Sequence, residues 1–238
     1  ESDTLEGAKN PRFATKLIGH AKAWDTFLKC ELNGKIHHAW IIAGPKGIGK
    51  ATFSWKLAER LMSEPSQITK RENDPKIKGL SISNLFVCRR PYDDKSNRFK
   101  KFITVDEIRK LKSFFQMTAT ENMWRIAIID CADELNKSAA NALLKILEEP
   151  PKKSIFFIIA NQRRTLPATI LSRCRLLDLT RLSALEIETV LKLSSYDVKT
   201  MSADDRHIIS IIAEGSAGMA IKAINNNGVS LFKICLDI

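Results

Sequence analysis

The sequence predicts an α/β protein: a five-stranded parallel sheet with flanking helices, followed by a smaller region built of helices alone. Three observations carry this. Apolar runs at 39–43, 85–88, 125–130, 155–160 and 176–179 lack polar alternation, as strands buried on both faces do, and segments of helical spacing separate them. The first run leads directly into Gly44-Pro45-Lys46-Gly47-Ile48-Gly49-Lys50-Ala51-Thr52, after which helical spacing continues over 53–62. Beyond residue 180 only helical patterns remain, so we place a domain boundary there, with 1–179 as one domain and 180–238 as the other.

Composition bounds the function. The chain has 238 residues, 44% hydrophobic and 27% charged, which is globular rather than disordered and enough for a sizeable core. No apolar run approaches the roughly 18 residues of a membrane span, so no membrane partner is expected. Glu1-Ser2-Asp3-Thr4 offers no basic or apolar leader, and with no initiator Met the start is expected to be trimmed or to lie upstream. Lys and Arg total 38 against 27 Asp and Glu, and the net charge of +11 suits a polyanionic partner. The five cysteines, Cys30, Cys88, Cys131, Cys174 and Cys235, are odd in number and form no C-x-x-C pair. They read as small buried hydrophobes in a reducing cytoplasm, not as a zinc module or a disulfide framework.

In chain order, 1–20 is polar and irregular, and 21–32 has helical spacing with Ala23, Trp24, Phe27 and Leu28 on one face, stopped by Asn33-Gly34. His37 and His38 lie on an extended segment, where neighbours point opposite ways, which argues against a metal site. Residues 63–80 form a polar linker. After the second strand, 89–101 is a basic loop interleaved with aromatics, in which Arg98, Lys100 and Lys101 suit a phosphate backbone; such a run also reads as a solvated loop. Thr104 and Glu107 form a capping box for a helix over 105–115. Asn136 caps a helix over 137–148, with Ala140, Leu143, Leu144 and Leu147 as its inner stripe, and Pro150-Pro151 stops it. A short helix over 167–172 precedes the last strand. Ser183 and Glu186 cap a helix reaching 193, and helices over 204–214 and 217–225 flank Gly215.

Strand, glycine-rich turn, lysine and helix make the context of a phosphate-binding loop: backbone N–H groups approach a polyphosphate and Lys50 reaches its outer phosphates. The next position should carry a hydroxyl for Mg²⁺ but is Ala51, and Thr52, one residue late, is turned by about 100° on a helix. Asp130, at the end of a later strand, occupies the place of a Mg²⁺-binding carboxylate. The residue after it, where a carboxylate would polarise the attacking water, is Cys131, a poor proton acceptor while neutral. Asp133 and Glu134 belong by spacing to the following turn. The site looks built to hold phosphate and poorly equipped to hydrolyse it.

Two long motifs then carry a resemblance: Asn141-Ala142-Leu143-Leu144-Lys145-Ile146-Leu147-Glu148-Glu149-Pro150-Pro151, and Leu166-Pro167-Ala168-Thr169-Ile170-Leu171-Ser172-Arg173-Cys174. With His37-His38-Ala39 and Ile103-Thr104-Val105-Asp106-Glu107-Ile108-Arg109, they resemble clamp-loader subunits of the AAA+ superfamily, and most of all the delta-prime subunit family of the bacterial DNA polymerase III clamp loader, over about residues 16–225. The resemblance implies a RecA-like core with strand order 5-1-4-3-2 and a three-helix lid. It assigns the phosphate loop to residues 44–52, the Mg²⁺ position to Asp130, and γ-phosphate sensing to Asn161. Arg173 becomes an arginine finger projecting into a neighbouring subunit's ATP site. The lid's sensing arginine is replaced by Gly218. Four zinc-binding cysteines often follow the loop helix in this family; 63–83 has none, so no zinc is expected.

The resemblance thus implies a non-hydrolysing, stator-like subunit acting with gamma/tau ATPase subunits, delta, a sliding clamp and primed DNA, requiring no cofactor and binding ATP or ADP weakly if at all. A helical collar domain would begin about where the sequence ends at Ile238, so its absence, and a monomer in isolation, are expected. Two other readings are an active AAA+ ATPase, such as a helicase loader or branch-migration motor, and a DNA-binding module built on the basic loop.

Overall fold

The computed structural model describes residues 5–63, 84–116, 123–194, 196, 198 and 200–236. The linker expected over 63–80 and the cysteine-free stretch to 83 therefore lie, beyond Ser63, outside the described residues. Helix α1 (Ala21–Leu32) leads to β1 (Ala39–Ala43) and α2 (Lys50–Met62). Strand β2 (Leu85–Cys88) is followed by β3 (Tyr92–Asp93), β4 (Arg98–Phe99) and α3 (Val105–Gln116). Then come β5 (Arg125–Ile129), α4 (Lys137–Glu148), β6 (Ser154–Ala160), the single turn α5 (Ala168–Leu171) and β7 (Arg175–Asp178). The chain continues through α6 (Ala184–Leu193), α7 (Ala203–Ala213), α8 (Ala217–Asn225) and α9 (Gly228–Leu236), the last a fourth helix after the three expected.

The main sheet runs β2-β5-β6-β1-β7, every pairing parallel. Counting only its strands along the chain, this is the order 5-1-4-3-2 that the resemblance implies. Every residue of β1 and β6 is buried, because helices cover both faces and leave no side for polar alternation. The side-chain period of two still sorts the strands. Ile41, Ile129, Phe156 and Ile158 face α3 and α4, while Trp40, Ile42, Ile128 and Phe157 face α1 and α2. Leu182, Ile187, Leu191, Ile209, Ala213, Ala220 and Ile221 form an apolar cluster of their own.

Local details separate what spacing predicts from what packing decides. Asn136 Oδ1 accepts from the Ala139 amide at 2.8 Å, and Ser183 and Glu186 form the full reciprocal cap. The Glu107 carboxylate instead pairs with Lys110 at 2.6 Å. The His37 and His38 rings stack at 4.3 Å and 30° rather than pointing apart, because the segment before β1 is not a regular strand. Among the described residues no cluster of three or more His, Cys, Asp or Glu could hold a metal ion, and no helix is long and apolar enough to cross a membrane. Within the basic stretch 89–101, expected to be a loop, Tyr92–Asp93 and Arg98–Phe99 pair as a short two-stranded antiparallel hairpin.

Candidate nucleotide pocket and the Arg173 turn

At the C-terminal ends of β1, β5 and β6 the chain encloses a cavity of about 480 Å³ between the glycine-rich loop, the segment 14–18 and helix α8. Lys46, Gly47, Ile48, Gly49, Lys50 and Ala51 border it, as do Asp130, Cys131 and Asn161. Thr52, expected to turn away, borders it too, since the cavity extends past the start of α2 towards residues 14–18. Gly44 and Pro45 instead line a hollow on the loop's other side.

Lys50 is buried and folded back on the loop. Its Nζ donates to the carbonyl oxygens of Gly44 (2.8 Å) and Pro45 (2.7 Å) and to Asn161 Oδ1 (2.9 Å). Burial brings its pKa down to about 8, partly opposed by the neighbouring acidic groups, so it stays protonated at neutral pH. Asn161 is fixed in turn: its Nδ2 donates to Cys131 Sγ at 3.2 Å, and its backbone N–H donates to Asp133 Oδ2 at 2.6 Å.

Asp133 is the group spacing alone left in a turn. Its carboxylate also accepts from the Cys131 thiol (2.7 Å), the Thr165 hydroxyl (2.5 Å) and the Gln162 amide (3.3 Å), tying the end of β5 to the loop after β6. Burial works against its charge, but these hydrogen bonds prevail and hold its pKa below the usual carboxylate value. Cys131, half-buried with its proton committed to Asp133, is pushed up to about 12 and is a neutral thiol at any physiological pH. It cannot take a proton from water as a carboxylate would. The donors do not suit Mg²⁺ either: Asp130 supplies a carboxylate, but the hydroxyl position is the Ala51 methyl, packed against the apolar cluster of α2. At the cavity's rim Arg90 pairs with Glu134 at 2.8 Å, and burial raises the Glu134 pKa in spite of that partner. His20 Nε2 donates to the Ile48 carbonyl at 2.8 Å, pinning α1 to the loop.

Helix α8 closes the cavity by backbone contact. The Gly218 N–H donates to the Gly47 carbonyl at 2.9 Å and the Ser216 hydroxyl to the Lys46 carbonyl at 2.9 Å. Gly47 has φ +80°, and a Cβ on Gly218 would lie 2.9 Å from the Gly47 Cα. This is the physical reason an arginine cannot stand at 218 with α8 in this position.

Arg173 lies outside this cavity, on the turn after α5. Its Nη2 pairs with Glu148 Oε1 at 2.9 Å, and its Nη1 donates to the Thr169 carbonyl (3.0 Å) and the Ser172 hydroxyl (3.2 Å). With side chains 37% and 43% exposed, this is a surface pair worth about 0–1 kcal/mol. Arg98, Lys100 and Lys101 also stand apart from the cavity, on the exposed hairpin. Asp133, Glu148 and Arg90 were not legible as site residues, because their partners come from other elements.

Comparison with known proteins extends the geometry. Residues 19–183 match the family described as DNA polymerase III, delta subunit. The chain is 30% identical over 201 residues to DNA polymerase III subunit gamma of Buchnera aphidicola subsp. Schizaphis graminum, covering 81% of this chain and 51% of that protein. It is 30% identical over 178 residues to subunit tau of Bacillus subtilis, covering 73% and 30%. With subunit delta' of Pseudomonas aeruginosa the figure is 31% over 157 residues, covering 63% and 46%. The chain thus spans 30–51% of the length of these relatives, which stand at one level of identity and reach the family rather than the subunit. Two Thermotoga maritima structures share the fold. The RuvB Holliday junction branch migration motor has a TM-score of 0.56 at 15% identity, over 94% of this chain and 68% of that one. A DNA polymerase III gamma subunit-related protein has 0.53 at 18% identity, over 82% and 68%. This chain belongs to the DNA polymerase III delta-subunit family, among the clamp-loader AAA+ proteins.

Proposed function

We propose that this chain serves in a cytoplasmic clamp loader as a non-hydrolysing, stator-like subunit. In this reading 1–179 is a nucleotide-type core and 180–238 its lid. Arg173 acts on ATP held by a neighbouring subunit while a sliding clamp is loaded onto primed DNA. The observation that carries the reading is the pairing of a disabled pocket with a surface arginine. Cys131 is a neutral thiol, Ala51 has no hydroxyl, and Lys50 is taken up by the loop's own carbonyls. Arg173, in contrast, is held only by exposed acceptors.

The chemistry asked of Arg173 is electrostatic. A guanidinium delivered to a transferring phosphoryl group stabilises charge that grows in the transition state, an effect of about 10³–10⁵ in rate. That equals roughly 4–7 kcal/mol. The loop glycines and Lys50 would hold phosphate if nucleotide binds, and no step depends on it. The test adds wild type or Arg173→Ala to gamma/tau and delta subunits with a clamp and primed DNA. Stimulated turnover is expected with the first and a large drop with the second; equal rates would overturn the reading.

A second reading, an ATPase working on its own, is favoured by the retained Lys50 and Asp130 and by the gamma and tau relatives. Brisk turnover by the isolated chain, abolished by Lys50→Ala, would establish it.

A further inference from the structure

We propose that the β3–β4 hairpin is a binding platform for single-stranded nucleic acid. The hairpin is a built element. Cross-strand pairs set Tyr92 against Phe99 and Asp93 against Arg98, and Lys100 N–H continues the ladder to the Pro91 carbonyl at 2.9 Å. Asp93 ties the turn by accepting from the Ser96 hydroxyl (2.8 Å) and the Lys95 amide (3.2 Å), and Asn97 takes a left-handed φ of +51°.

This geometry holds an aromatic ring ready. Tyr92 is 46% exposed, yet Phe99 meets its ring edge-to-face at 5.1 Å and its hydroxyl donates to Asn97 Oδ1. A ring fixed on one side and open on the other can stack a base with little ordering cost. Phe102, 43% exposed, offers a second ring beneath the Lys101 ammonium, 5.3 Å from its centroid. Around these rings Arg98, Lys100 and Lys101 are exposed and make no ion pair among the described residues, while Asp93 is engaged in the turn. Exposed rings set among cations that no carboxylate holds in an ion pair among the described residues match stacked bases joined by phosphates. Duplex phosphates would use the cations and leave the rings idle, and an acidic peptide has no flat face for them.

The platform stands on the hairpin alone, independent of any role for Arg173, and is tested on the isolated full chain. Fluorescence anisotropy would follow binding of oligothymidylate of about 16 nucleotides, oligouridylate, a duplex of equal length and polyglutamate. Salt would run from about 50 to 200 mM. Binding to the single strands should exceed that to duplex and polyglutamate, and the DNA and RNA strands together separate a general single-strand platform from one selective for DNA. Replacing Arg98, Lys100 and Lys101 by Ala should reduce the slope of log affinity against log salt by about 2, near 0.7 for each phosphate contact. Tyr92→Ala should weaken binding about 5- to 150-fold with the slope unchanged, and Tyr92→Phe should keep most of the affinity. Ultraviolet cross-linking of a bromouracil-substituted strand to Tyr92 or Phe102 in the wild-type chain reads the contact without any variant. An unchanged slope in the triple variant, Tyr92→Ala binding like wild type, polyglutamate or duplex binding equally well, or cross-links confined elsewhere would each overturn the proposal.

Discussion

Two cations lie near opposite ends of the same catalytic reading, and the protein treats them differently. Lys50 is buried, its charge met by two carbonyls of its own loop and by Asn161. Arg173 sits on a turn against an exposed carboxylate. A buried ammonium must be satisfied locally or neutralised, so it becomes part of the fold. An exposed guanidinium in a pair worth under about 1 kcal/mol can be handed to a better acceptor at little cost. The pocket spends its cation on itself and the turn keeps one available.

Four measurements break or sharpen this contrast, from largest effect to smallest. In the assembled complex, Arg173→Ala should lower ATP turnover by about 10³–10⁵, and Arg173→Lys should recover little, because an ammonium lacks the planar fork. Full activity of the lysine variant would reduce Arg173 to a point charge.

The second concerns pH. A lysine whose folded pKa has dropped from 10.5 to about 8 costs stability at every pH below about 8, and the cost is relieved as pH rises towards 10.5. The buried thiol of Cys88 and the half-buried thiols of Cys131 and Cys174, pushed up to about 12 by desolvation, drive the opposite trend in alkali. The diagnostic is therefore a difference: relative to Lys50→Met, the wild type should gain about 3 kcal/mol of unfolding free energy across that window by denaturant titration. Parallel curves would mean that Lys50 is solvated.

Third, Gly218→Arg places a Cβ 2.9 Å from backbone and should cost about 1–3 kcal/mol, lowering Tm by several degrees, without creating ATP turnover. An unchanged Tm would show that α8 does not press on the loop. Last, Glu148→Gln should change complex turnover less than about 5-fold, since it removes only a surface pair. A loss as large as that of Arg173→Ala would make Glu148 part of the machinery.

The sheet was legible because its strands carry no polar alternation and a helix covering it has a cap that sequence alone reveals, at Asn136; the cap at Ser183 made the first helix after the sheet legible in the same way. That the glycine loop, Lys50 and Asp130 border one cavity was legible from type and order along the chain, while Asn161 came only through the resemblance. Asp133 was not: its partners Asn161, Gln162 and Thr165 lie 28–32 positions away and meet it only once β5 and β6 pair. The hairpin is not legible in the sequence because two-residue strands show no periodicity, and the Tyr92–Phe99 and Asp93–Arg98 cross-pairs appear only in the fold. Glu148 stood in a quoted motif, yet nothing in its spacing announced a partner 25 residues ahead, whose number, 173, follows from the packing of α5 beside α4.

The bare contact of Gly47 with Gly218 has a mechanical corollary. With the Gly218 amide seated on the Gly47 carbonyl and no side chain between the two backbones, a shift of the glycine loop breaks that hydrogen bond unless the start of α8 travels with it.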